Sequence, residues 1–158
     1  MQYLFMTLFA AGIVAVDQIT KCLTVANIAL YEKVPFIPGF LGLTYVQNTG
    51  AAFSSFEGAR WLFVLVFAIF TVALIYEFTT KKMGFSSLER WLIVAVYGGG
   101  LGNVIDRVRL GYVIDMFETE FIEFPVFNVA DCFITCGCIL FMAHLILCNR
   151  KVWKEEKK

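Results

Sequence analysis

Asp115 closes the stretch GYVID and Asp131 closes FNVAD, and each carboxylate sits among apolar residues where a solvated charge is not expected. Two carboxylates brought together in such surroundings share a proton, because close like charges do not both ionise cheaply. One member then draws a proton from water while the other donates to a carbonyl oxygen, which is the chemistry of peptide hydrolysis by an aspartyl pair. Asp131, in the first turn of an expected helix whose partial positive charge favours an anion, is expected to begin as the base. Asp115 is expected to begin as the proton donor, with the titration belonging to the pair.

Other polar residues gather with them, each with a structural reading beside the chemical one. Asp17 and Lys21 have the four-residue spacing of an ion pair on one helix face. Asp106 and Arg107 can end a helix and pair locally. Asn128 followed three residues later by Asp131 has the pattern of an N-cap and its partner, and capping alone would account for both. Asp115 has no such local explanation. Asn48, in NTGAAFS, and Asn103 complete the set, with Gln18 beside Asp17.

Rival chemistries are weaker. Ser54 or Ser55 with Lys21 would make a Ser-Lys pair, since a desolvated lysine serves as a base. Cys132 and His144 lie roughly 18 Å apart along one helix, too far for a Cys-His pair. Cys132, Cys136 and Cys138 run along one apolar span and do not converge on a metal without partners elsewhere, so buried packing thiols are expected. Cys22 and Cys132 both fall near outer helix ends, where they could approach each other, but sequence does not establish a disulfide.

The elements that must position these groups follow from composition. Of 158 residues, 59% are hydrophobic and 16% charged, a chain built for lipid and long enough for a single membrane-embedded domain, 1–158. A helix needs about 20 apolar residues to cross ~30 Å of hydrocarbon. Four windows are expected to span, at about 3–23, 61–78, 91–106 and 128–148. The first is interrupted by Asp17, Gln18 and Lys21; lacking a basic start and a small-residue cleavage site, it reads as a retained helix rather than a signal peptide.

Eight of the 13 Lys and Arg, namely Lys81, Lys82, Arg90, Arg150, Lys151, Lys154, Lys157 and Lys158, lie in the second loop and the tail. The positive-inside rule puts both on the cytoplasmic side, so both termini are expected inside and the segments 24–60 and 107–127 outside. The outer segments hold two stretches of strand-like composition, LGLTYVQ at 41–47 and FIEFPVF at 121–127. Short strands or an interfacial platform are expected there, with Phe36, Phe40, Phe121, Phe124 and Phe127 as a shelf at headgroup level. Every polar interruption of a span then falls at the outer end.

In order along the chain, DQITK at 17–21, NTGAAFS at 48–54, GGGLGNVIDRV at 98–108, GYVID at 111–115 and FNVAD at 127–131 make the sequence resemble the bacterial lipoprotein signal peptidases, the type II signal peptidases of the aspartyl peptidase group. The resemblance implies a mainly α, integral membrane fold of four transmembrane helices with a small β-containing platform and a short helix on the outer side. It implies removal of the signal peptide from a prolipoprotein, just before a cysteine that carries a diacylglyceryl group, with Asp115 and Asp131 catalytic. Asn48, Gly50, Asn103, Arg107 and Asn128 would orient the pair or the peptide backbone, and Asp17, Lys21 and Asp106 would support them. Gly98 and Gly102 would be points of close approach. It implies no cofactor and no metal, prolipoprotein and membrane lipid as partners, and a monomer in the bacterial inner membrane with the site at the outer face.

A non-enzymatic class stands against this reading: a small carrier or an assembly subunit. A carrier calls for acidic groups in the middle of its spans, and spans two and four carry none there. Nucleic acid is not an expected partner, because topology explains the basic tail.

Overall fold

The computed structural model describes residues 1–50 and 56–148. Ser54, Ser55 and the basic tail residues Arg150, Lys151, Lys154, Lys157 and Lys158 lie outside the described residues. The described residues hold four helices: α1 (Gln2–Asn27), α2 (Arg60–Thr80), α3 (Ser87–Arg109) and α4 (Val129–Leu147). Among the same residues three strands, β1 (Lys33–Ile37), β2 (Leu41–Asn48) and β3 (Val113–Thr119), form one antiparallel sheet in the order β1-β2-β3.

Helices α1, α2 and α4 are long and apolar enough to cross a membrane, with mean hydropathies of 1.5, 2.3 and 2.0. Their outward faces hold residues that a soluble protein would bury, such as Leu65, Ile69 and Val72 on α2 and Ile139 on α4. Helix α3 falls short of that apolar standard. It carries Glu89, Arg90, Asp106, Arg107 and Arg109, and it keeps Asn103, Asp106 and Arg107 buried by packing against α1, α2 and α4. The helix expected at 91–106 therefore exists and is longer at both ends, and its polar groups Glu89, Asn103, Asp106 and Arg107 are buried in protein while Arg109 is exposed.

Small residues let α3 approach its neighbours. A Cβ on Gly99 would stand 2.5 Å from the Ala130 carbonyl oxygen of α4, and one on Gly102 would stand 2.4 Å from Asp17 Oδ2 of α1. At the other end of the bundle a capping box starts α3: Glu89 N donates to Ser86 Oγ at 3.2 Å and Ser86 N to Glu89 Oε2 at 2.6 Å. Helix α2 stops at Lys81 in a left-handed conformation (φ 53°), where the αα turn begins.

The sheet forms the platform. β1 turns into β2 through Gly39 (φ 73°), and β2 pairs with β3 so that Val46 faces Asp115 and Asn48 faces Val113. Ile28, Tyr45, Ile114 and Met116 make a small core beneath it. The third strand occupies 113–119 rather than 121–127, where only Phe127 bridges, to Phe117. The physical reason is ion pairing that composition concealed: Glu118 pairs with Lys33 of β1 across β2, and Glu120 accepts from Gly39 N at 2.7 Å, so the acidic stretch continues the strand. Phe36, Phe40, Phe121 and Phe124 are exposed, with Phe40 and Phe121 stacked at 5.1 Å, while Phe127 is half-buried. A short outer helix is not present among the described residues.

The expectation of buried packing thiols is overturned. Cys22, Cys132, Cys136, Cys138 and Cys148 are all exposed free thiols. A span that meets lipid has an apolar outer face, so an apolar environment for a thiol does not require a protein interior.

Candidate active site

The outer ends of α1, α3 and α4 meet the sheet at a polar cluster, built from short local arguments. Asn128, in extended conformation, caps α4: Asp131 N donates to Asn128 Oδ1 at 2.9 Å, and Asn128 N donates to Asp131 Oδ2 at 3.1 Å. The capping pattern read from spacing is real, and it does not exhaust these residues. Asn128 Nδ2, fully buried, donates to Asp115 Oδ1 at 2.6 Å and reaches Asn103 Oδ1 at 3.1 Å and the Ile114 carbonyl at 3.3 Å. One asparagine thus joins both carboxylates.

Each carboxylate has a second amide donor. Asn48 Nδ2 donates to Asp115 Oδ2 at 2.9 Å from the neighbouring strand, and Asn103 Nδ2 donates to Asp131 Oδ1 at 2.8 Å from α3. The amides fix the carboxylates without neutralising them. Asp115 is 2% exposed, and its pKa is pushed up to about 7, chiefly by burial and further by the charge of Asp131, against the pull of Asn48, Asn128 and Lys21.

Below the pair lies a buried ionic layer. Lys21 Nζ sits 2.9 Å from Asp17 Oδ2 and 2.8 Å from Asp106 Oδ2, and it donates to Asn103 Oδ1 at 2.8 Å. With three partners its ammonium is committed within this layer and is not free to serve a serine. Asp17 Oδ1 accepts from Ala130 N at 3.0 Å, tying α1 to the first turn of α4. Asp106 accepts from Ile114 N at 3.3 Å and from Gln18 Nε2 at 2.9 Å, tying α3 to β3 and α1. The local Asp106-Arg107 pairing read from sequence gives way to these longer connections.

Arg107 donates from Nη2 to the Gly50 carbonyl at 2.7 Å and lies over the Phe63 ring at 4.4 Å. Gly50 N in turn donates to Asn48 Oδ1 at 2.9 Å, so the turn after β2 is held from both sides. Every residue singled out from sequence as site-forming or supporting lies in this cluster. Phe63 and Gln18 are additions: Gln18 was visible only as a polar residue in a span, and Phe63, one of several phenylalanines on α2, carried no signal of its own.

His144 is at the opposite end of α4 from Cys132, with Nδ1 3.1 Å from Glu89 Oε1, so these two residues form no pair.

Asp115 and Asp131 line one cavity of about 750 Å³ between α2, α3 and α4. Asn103 and Arg107 stand at its polar end, and Phe63, Val66, Phe67 and Phe70 form an apolar wall. Four carboxylates (Asp17, Asp106, Asp115, Asp131) face two cations (Lys21, Arg107) in this region, so a proton retained by the Asp115–Asp131 pair lowers the charge imbalance. Such an arrangement can polarise a carbonyl and activate water at the border of an apolar space.

Residues 9–147 match the family described as signal peptidase (SPase) II. A lipoprotein signal peptidase of Enterococcus faecalis is 46% identical over 152 residues, covering 95% of this chain and 92% of the relative. One of Streptococcus pyogenes is 44% identical over 147 residues, covering 91% and 90%. Two solved bacterial membrane enzymes, determined by the in meso method, share the fold at 32% identity. The first has a TM-score of 0.84 and covers 98% of this chain and 93% of that chain. The second has a TM-score of 0.79 and covers 91% and 94%.

Proposed function

The chain belongs to the signal peptidase II family, multi-pass membrane proteases that remove signal peptides from prolipoproteins, and we propose that it does so as an aspartyl endopeptidase with Asp115 and Asp131 as its catalytic pair. The observation that carries this reading is Asn128, which donates to Asp115 and caps with Asp131, so that both carboxylates are oriented by one residue at the end of an apolar cavity.

In the proposed reaction Asp131 takes a proton from water as the oxygen attacks the scissile carbonyl carbon, and Asp115 gives its proton to the carbonyl oxygen. The tetrahedral intermediate collapses with proton transfer to the leaving amine, and the peptide C–N bond breaks. One water is consumed and the pair ends with one proton, ready for the next cycle. Asn48 and Asn128 hold Asp115, Asn103 holds Asp131, and Arg107 with Gly50 fixes the turn beside them.

The substrate in this reading is a prolipoprotein cut just before a diacylglyceryl-modified cysteine. The apolar cavity accepts the signal peptide, and the exposed aromatics of the platform meet lipid. The whole chain acts as one membrane-embedded unit in the bacterial inner membrane, as a monomer, with α3 as a fourth span. Lys81 and Lys82 mark the cytoplasmic end, opposite the site at the outer face. The test is mass spectrometry of products from a matched pair of prolipoproteins, one with and one without the diacylglyceryl group. Cleavage of the lipidated form immediately before its cysteine is expected; equal cleavage of both forms, or cleavage elsewhere, contradicts the reading.

A further inference from the structure

Asp115 lies where two cavities meet. Besides the apolar one, a second cavity of about 800 Å³ opens beyond Asn48, Asp115 and the segment 124–126, which line both. Its wall differs in kind. It carries Glu57, Glu118, Glu120 and Glu123, and no Lys, Arg or His among the described residues.

These four glutamates are not equivalent. Glu118 is committed to Lys33, and Glu120 to Gly39 N. Glu57 and Glu123 are exposed and make no hydrogen bond or ion pair among the described residues. A peptide cut between the two cavities leaves in two directions, one apolar and one of mixed character with acidic side chains. The signal peptide suits the first, so the chain beyond the cut bond takes the second.

We propose that the second cavity holds the first residues of the mature lipoprotein, and that Glu57 and Glu123 make it selective for basic side chains there. The inference rests on the catalytic reading of Asp115 and Asp131 given above. Two exposed carboxylates give a modest preference, roughly three- to tenfold in kcat/KM for a pair of lysines over a pair of glutamates, and salt screens it.

The test uses the full chain in bilayers and three diacylglyceryl prolipoproteins that differ only just after the lipidated cysteine, with a pair of Lys, Ser or Glu. The order Lys, Ser, Glu is expected at low salt, compressed at high salt. In the Glu57→Gln/Glu123→Gln variant the Lys-to-Glu ratio is expected to fall toward one. Equal cleavage of all three by the unaltered chain, or a preference that survives in the variant, overturns the inference while leaving the proposed activity standing. Failure to cut any of the three overturns the activity and the inference together.

Discussion

Asn128 donates its side-chain amide to Asp115 at 2.6 Å while its own backbone amide is held by Asp131 at 3.1 Å. Helix start and site are thus one structural unit: the residue that begins α4 sets the spacing of the two carboxylates. Replacing Asn128 by Ala removes both functions. Loss of the cap costs about 1 kcal/mol, and loss of the donor to Asp115 is expected to lower kcat by at least about tenfold with a smaller change in KM. Thermal unfolding in detergent and steady-state cleavage separate the two effects. A variant with unchanged kcat would make Asn128 a cap alone.

The ionic layer gives a second expectation. Lys21 is 1% exposed and serves Asp17, Asp106 and Asn103 at once. Lys21→Met strands two buried carboxylates and is expected to cost about 3–5 kcal/mol. Adding Asp106→Asn removes one of the stranded charges and is expected to recover part of the loss. Thermal unfolding of both variants measures this; a single variant as stable as the unaltered chain would contradict the arrangement.

Close approach is testable at glycines. Gly99→Ala directs a Cβ onto the Ala130 carbonyl, at the start of α4, and is expected to cost about 1–3 kcal/mol and to reduce cleavage. Gly12→Ala, which meets nothing within 4 Å, is expected to leave both unchanged. Equal behaviour of the two variants would mean that α3 and α4 do not pack as described.

Much of this was legible in the sequence because buried charge is rare in a lipid-facing chain: Asp17, Lys21, Asp106 and Asp131 announce themselves against apolar spans, and Asp115 against the apolar stretch that precedes it. What was not legible depends on pairings across the fold. The strand through Glu118 needs Lys33 from β1, which composition does not reveal. Phe63 matters through the guanidinium of Arg107, brought to it by packing of α2 on α3. The cysteines misled because burial in protein and burial in lipid select the same residue types.

The pH dependence follows from Asp115. Its pKa is raised from 3.8 to about 7, so it holds its proton in mildly acidic solution and loses it as pH rises through the neutral range. A raised carboxylate pKa means that the folded chain binds more protons than the unfolded chain between these values, so stability falls as pH rises through that window. If Asp115 is the proton donor, kcat is also expected to fall as pH rises past about 7. A pH–rate profile that climbs steadily above this range would assign the donor elsewhere.

The most direct test of the central claim compares the purified chain with Asp115→Asn and Asp131→Asn on a diacylglyceryl prolipoprotein, read by gel shift, with folding checked by thermal unfolding. Both variants are expected to fold and to lose cleavage by at least about 10²-fold. A folded Asp115→Asn or Asp131→Asn variant that cuts at the unaltered rate would contradict the catalytic pair.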